Sequence, residues 1–350
     1  MWTVTLCLLP AAGWGVYLFG PDAFMVLAAS VLSAVITEAL AARLAGRATL
    51  RDGSAVLTGL LLGMTMPPAV PLFVPVVAAA FAMLVVKWSF GGLGTNWMNP
   101  VLAGRVFAAF SWPVSMANWV VPRTFAEADG VAAATPLGII RTAEAGTRVG
   151  PIVFLQDAGY PLSGIDLGAT SWINARLLAP LGIYIPPGYV DLFVGNTAGS
   201  IGEGSALLLL VGTVVLFARR IITWHIPAAF FLTFALCTWV FGGLYAGMGL
   251  FAGDVLFAVF TGGFILAAFY MATDPVTSPL TGAGMLLYGA GAGLLTFVLR
   301  AYGRFPESIA SAIIVMNILV PLIDRAIRPR RFGIGRRIRG VVPQEDARVS

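Results

Sequence analysis

Long apolar runs with short polar punctuation dominate the chain. Runs at 2–19, 23–42, 54–67, 69–88, 99–117, 204–218, 224–242, 250–272, 282–300 and 308–324 approach the length of roughly 20 residues that a helix needs to cross a hydrocarbon core. Residues 118–202 break that rhythm with one longer, more polar stretch. The pattern predicts an all-α integral membrane protein of about ten transmembrane helices with one external loop region. Its parts are a first transmembrane repeat at 1–117, the loop at 118–202, a second repeat at 203–327 and an Arg-rich tail at 328–350. The run 2–19 lacks a basic lead and an A-x-A site, so it reads as a span and not a cleaved signal. It leaves almost no lead-in before the membrane.

Positive charge gives the spans a direction. Arg43, Arg47 and Arg51 follow the second run, Lys87 closes the fourth, and Arg219 and Arg220 close the sixth. Arg325, Arg328, Arg330, Arg331, Arg336, Arg337 and Arg339 follow the last. Counting one crossing per run puts all of them on one side, which the positive-inside rule makes cytoplasmic. Both termini then lie inside, in a bacterial or archaeal cytoplasmic (inner) membrane, and 118–202 lies outside. With an odd number of spans before the loop, the second half starts on the opposite side, so the halves are expected to be inverted repeats. Echoes support this: Thr58-Gly59 leading to Met66-Pro67 against Thr261-Gly262 leading to Met271 and Pro275, and Met98-Asn99 with Arg105 against Met316-Asn317 with Arg325.

Composition narrows the chemistry. The chain is 59% hydrophobic and 11% charged, with a mean hydropathy of +0.90, which excludes an ordinary soluble domain. The net charge of +5 is almost all arginine, without the aromatic interleaving of a nucleic-acid surface, so no nucleic-acid partner is expected. Cys7 and Cys237 lie far apart in apolar runs, and no metal or Fe–S ligand spacing occurs. Membrane lipid is a partner by necessity, and any redox cofactor must be organic or shared with another chain.

Two proline-rich breaks, Met66-Pro67-Pro68-Ala69-Val70-Pro71 and Asp274-Pro275-Val276-Thr277-Ser278-Pro279, cannot continue a helix. They read either as cavity-lining broken segments or as interfacial turns. Asp274 reads either as part of an ion path, together with Asn99, or as a local cap of its break. Glu38, Asp254 and Glu307 are further acids in or near spans. Ser200-Ile201-Gly202-Glu203 has capping-box spacing for the sixth span. Gly91-Gly92-Leu93-Gly94-Thr95-Asn96 lacks a Walker lysine, but its tight turn would let backbone approach a flavin.

These motifs resemble a known family. Leu57-Thr58-Gly59-Leu60-Leu61-Leu62, Gly91–Asn96 with Asn99-Pro100, Gly199–Glu203, Trp224-His225-Ile226-Pro227, Ala272–Thr277 and the ending Asn317–Arg325 followed by Arg328-Pro329-Arg330 are similar to the D subunit of the Rnf electron-transport complex. Its sister is the B subunit of the sodium-pumping NADH:quinone reductase. The resemblance covers nearly the whole chain. It implies a translocase subunit that passes electrons between ferredoxin and NAD with coupled Na⁺ or H⁺ transport. The implied partners are the other Rnf subunits (A, B, C, E and G types) and a flavin transferase.

The resemblance also implies covalent FMN, joined through a phosphoester to a loop threonine, and riboflavin as a second, noncovalent flavin. The family pattern places Asp129 first, then Gly130, with Ala134 before the acceptor Thr135 and Pro136 after it. Ala132 stands where the pattern has Ser or Thr. Thr170, in Gly168-Ala169-Thr170-Ser171, is the second choice, with Asp166 four residues ahead and not six. Two rival readings are the quinone-reductase subunit and a passive small-solute channel without flavin.

Overall fold

The computed structural model describes residues 1–47, 49–125, 132–142, 149–244, 247–303 and 309–327. In chain order its helices are α1 Trp2–Phe19, α2 Pro21–Leu44, α3 Ser54–Met64, α4 Phe73–Phe81, α5 Pro100–Ser111 and α6 Pro113–Met116. Then come α7 Pro136–Thr142, α8 Pro151–Asp157, α9 Gly164–Ile173, α10 Tyr189–Val194, α11 Ala206–Ala218 and α12 His225–Phe241. The last are α13 Val255–Phe260, α14 Phe264–Leu266, α15 Gly282–Tyr302 and α16 Ile309–Ala326. Wider, π-type turns extend α4 through Trp88, α9 through Leu178 and α14 through Met271.

The protein is an all-α membrane protein, and α1, α2, α15 and α16 are each long and apolar enough to cross a membrane alone. Five of the other predicted spans appear as shorter apolar helices. α3 ends at Met64, where Pro67 and Pro68 forbid another turn. The run 250–272 holds a break not expected from its hydropathy: α13 stops at Thr261, and Gly262 and Gly263 turn left-handed (φ +63° and +66°) before α14. One departure from pure α is a short antiparallel ribbon, Trp119–Val120 (β1) against Ala132–Ala133 (β2).

Packing follows small residues. A Cβ on Gly59 would lie 2.6 Å from the Val31 Cα, so α3 approaches α2 backbone to backbone. Helices from before and after the loop also meet: α1 packs on α11, and α5 on α16. Residues of both halves share one apolar core, from Leu8 and Leu62 to Phe230, Phe264 and Tyr288. α7–α10 form a layer at the end of the bundle opposite Lys87. A small cluster around Ile152, Leu155, Leu192 and Phe257 ties that layer to α13.

Candidate functional site

Polar side chains gather at two places, one toward each end of the bundle. At the Lys87 end, α2 delivers Glu38 and the widened end of α4 delivers Lys87 and Trp88. Glu38 and Lys87 are essentially inaccessible and pair at 3.0 Å. Glu38 also accepts from Thr49 Oγ1 and Trp88 Nε1, each at 2.6 Å. Lys87 Nζ donates to Ser54 Oγ at 2.7 Å, and that hydroxyl donates to Asp52 at 2.6 Å. A buried pair persists only where further hydrogen bonds offset its desolvation, and this network supplies them.

Beside this network a cavity of about 200 Å³ opens between the halves, lined among others by Lys87, Thr58, Asn96, Asn99, Tyr270 and Asp274. Asn96 contributes a buried Oδ1 with no hydrogen-bond partner among the described residues. The glycine turn 91–94, with φ between +93° and +111° at its three glycines, brings Leu93 and Asn96 to the wall. Asn99 caps α5 through Val101 N (2.9 Å) and donates to the Met271 carbonyl of the other half (3.1 Å). With the Asn317 amide set to satisfy both its ends, its oxygen accepts from Asn99 N (3.1 Å) and its nitrogen reaches Tyr288 Oη (2.6 Å). The two echoed asparagines therefore meet. Asp274 lines the cavity and also caps its own break, accepting from Val276 N (3.3 Å) and Thr277 Oγ1 (3.2 Å). The expected local cap of the break is thus present.

At the opposite end Thr135 follows the extended ribbon directly and opens α7. Its Oγ1 accepts from Gly138 N at 3.0 Å, and its carbonyl accepts from Ile139 N at 2.9 Å. Pro136 and Thr135 are buried and Ala134 is exposed. Asp129 and Gly130 lie outside the described residues. Thr135 borders a space of about 20 Å³ with Thr197, Gly199, Glu203, Thr261 and Gly262. Arg300, from the last turn of α15, holds the far wall by donating to the carbonyls of Ala258 (2.6 Å), Thr261 (2.9 Å) and Gly262 (2.8 Å). A guanidinium suits these carbonyls because a helix C-terminus is electronegative. A side chain at Gly262 would meet Arg300 Nη2 at 2.7 Å, and one at Gly263 would meet Glu203 Oε1 at 2.6 Å.

The second-choice threonine has different surroundings. Thr170 is buried within α9, its carbonyl bonded to the Asn174 amide. Asp166 accepts from the amides of Gly188 (2.6 Å), Val190 (2.9 Å) and Asp191 (3.1 Å), which makes it a clip between α9 and α10. Nearby, burial pushes the Asp191 carboxyl up, and hydrogen bonds from Ser163 pull it partly back. Burial also pushes the Tyr160 hydroxyl up to about 12. The expected capping box does not form. The cap of α11 is Ser205, accepting from Leu208 N at 3.2 Å, because the chain makes a tight turn over Ser200–Gly204 before the helix begins.

Three residues of these sites were not assigned to them by the sequence pattern. Glu38 and Lys87 are 49 positions apart, beyond any local periodicity, and the one signal was that Lys87 is the sole lysine of the chain. Arg300 had a plainer signal, being a cation near the end of a 21-residue apolar helix.

Comparison with known proteins decides the relationship. Residues 1–333 match the profile of the NQR2, RnfD, RnfE family. The chain belongs to this family. It is 38% identical to the D subunit of the proton-translocating ferredoxin:NAD(+) oxidoreductase complex of Clostridium ljungdahlii, covering 96% of this chain and 92% of that one. It is 37% identical to the D subunit of the ion-translocating oxidoreductase complex of Stutzerimonas stutzeri, over 94% and 90%. It is 35% identical to the D subunit of the Na(+)-translocating ferredoxin:NAD(+) oxidoreductase complex of Acetobacterium woodii, over 95% and 90%. This family member thus has similar relatives named for either ion.

Proposed function

We propose that this chain is the D-type membrane subunit of an Rnf-type ion-translocating oxidoreductase, carrying electrons between ferredoxin and NAD through FMN esterified to Thr135. Similarity along almost the full length of subunits that bear those names supports the complex and its activity. One observation favours Thr135 over Thr170: Thr135 follows extended backbone at the start of a helix, whereas Thr170 is locked within one. Thr135 and Thr170 are both buried, so the difference lies in the backbone: the ribbon and the exposed Ala134 lead directly up to Thr135.

The residues fit the ester link but not an enclosed flavin. A space of about 20 Å³ accommodates about one water, so the ring would lie outside it, where other Rnf subunits of the A, B, C, E and G types could reach it. When bound, the flavin supplies electron transfer in single or paired steps. Arg300 and Glu203 hold the wall behind Thr135, and Gly262 and Gly263 keep side chains off it.

The Lys87-end cavity is the proposed place for the noncovalent riboflavin. The unpartnered Asn96 Oδ1 and the mixed polar lining suit a ligand that carries both donors and acceptors. Asp274 and Asn99 border the same cavity, so the proposed ion path for Na⁺ or H⁺ passes the same walls. This reading sets the Lys87 end and both termini on the cytoplasmic face of an inner membrane.

The test is peptide mass spectrometry of the chain purified from cells containing the transferase. An FMN phosphoester on the peptide holding Thr135, absent in Thr135→Ala, is expected. Its appearance on the Thr170 peptide, or on neither, overturns the assignment. Release of free flavin from denatured chain, alongside the retained ester, checks the second flavin and excludes the passive channel.

A further inference from the structure

The segment 164–184 is built inside out for a water-exposed loop. α9 continues through wider turns to Leu178 and a tight turn at Ala179–Leu181, so one near-continuous rod carries most of the segment. Ser171 is exposed and returns its hydroxyl to the Gly168 carbonyl of its own helix, while the less exposed polar positions recur every four residues, at Asp166, Thr170 and Asn174, which is one face of a helix. That face points into the protein. Asp166 takes the three amides at the start of α10, Thr170 is buried, and Asn174 exchanges two hydrogen bonds with Ile185 at 2.8 and 3.0 Å. The outward face carries Ile165 (71% exposed), Leu167, Trp172 (57%), Leu177, Ile183 and Tyr184 (72%). The one charged side chain on it is Arg176, and the only acid in the segment is the buried Asp166. A helix facing water would present the reverse pattern.

The fold holds this helix where apolar spans begin. Asp166 clips it to α10, and α10 packs on the first turns of α11 and α13. Tyr189 Oη of α10 donates to Asp254, the cap of α13, and Phe193 of α10 packs on Phe260 at 5.3 Å. The outward residues of α11, such as Val211 and Val214, are exposed apolar side chains of a short apolar helix.

We propose that residues 164–184 form an interfacial helix seated on the bilayer at the Thr135 end, continuous with the lipid-facing belt of the spans. Tryptophan and tyrosine rings suit the headgroup level, where one edge is wet and the other dry. Arg176 can lay its stem on the apolar surface and reach lipid phosphate. Exposed carboxylates, which lipid phosphate would repel, are absent from this segment. The helix then holds the α7–α10 layer, and Thr135 within it, at a fixed height over the membrane.

Spin labels test this in nanodiscs of phosphatidylethanolamine and phosphatidylglycerol, with Cys7 and Cys237 replaced by alanine. Leu177→Cys and Ile165→Cys are labelled, with Leu232→Cys on the exposed face of α12 as the lipid reference. The ratio of collision with oxygen to collision with an aqueous nickel chelate should lie several-fold above that of free label and approach the Leu232 value. It should be the same for the chain alone and within its complex. Access of the nickel chelate to both sites in the chain alone, lost in the complex, would overturn the proposal in favour of a protein partner. Access in both would mean a solvated helix and overturn it equally. Trp172→Phe gives an independent reading without labels. The variant should lose part of the tryptophan quenching by lipids brominated near the headgroup, and unchanged quenching would contradict the placement.

Discussion

Two helix contacts, one before the α7–α10 layer and one after it, are made with opposite chemistry. In the first half α2 meets α4 through the buried Glu38–Lys87 pair. In the second half α12 meets α15, and the contact is made of glycine. A Cβ on Gly289 would lie 2.6 Å from the Ile226 carbonyl, and one on Gly293 would lie 2.7 Å from that of Phe230. Around it Phe230 and Phe234 pack on Phe264 at 5.2 and 4.5 Å. Glycine and aromatic packing thus bring this second helix pair together. The charged network, by contrast, borders the cavity, with Lys87 and Ser54 in its lining. Close packing of small residues suits a membrane interior, where apolar side chains gain little by leaving lipid.

The largest effect should come from breaking the pair on one side only. Glu38→Ala leaves the Lys87 ammonium buried without its carboxylate, a loss of about 3–5 kcal/mol. Thermal unfolding of the chain in nanodiscs should show a correspondingly lower midpoint. The double variant Glu38→Gln with Lys87→Met removes both charges and should recover most of that loss, as replacement of a whole buried pair commonly does. If the double variant is as unstable as the single one, the network is structural after all and the contrast between the halves fails.

The glycine contact should respond more mildly. Gly289→Ala places a methyl against backbone and must push α12 from α15, at about 1–3 kcal/mol for an overpacked contact. Ala290→Ser, one residue along the same helix, serves as control. Equal stability of Gly289→Ala and wild type would show that the two helices have room to part.

What the sequence made legible depended on range. The ten apolar runs could be read because each is a local property, and all-α membrane architecture followed from them. The echo of Met98-Asn99 in Met316-Asn317 was visible as letters, and the structure gives it a meaning by joining Asn99 N to the Asn317 amide. The break at Gly262-Gly263 was visible too, but hydropathy averages over it, so the run 250–272 read as one span. Ser200 misled because a Ser-x-x-Glu spacing is satisfied by a tight turn as readily as by a helix start. The clip from Asp166 to the α10 amides crosses more than 20 positions and leaves no local trace, which is why the inward polar face of α9 passed for a polar loop.

The smallest stability effect belongs to the residue of greatest proposed importance, and it separates the layer from both halves. Thr135 caps α7 with one side-chain hydrogen bond from Gly138 N. Thr135→Ala should therefore cost about 1 kcal/mol or less, typical of a lost cap. Because α7 belongs to the α7–α10 layer, that cost should appear as faster hydrogen exchange over 136–142 with the exchange of α2, α4, α12 and α15 unchanged. Thr135→Ser keeps an oxygen for the cap and a hydroxyl for an ester, so it should restore the slow exchange and retain the flavin adduct. A variant set in which Ala and Ser lose the adduct alike, while only Ala loses protection, would mean that the transferase reads the threonine methyl. A set in which Thr135→Ala also loosens α12 and α15 would show that the layer and the bundle are one cooperative unit, through the wall that Arg300 and Glu203 share with Thr135.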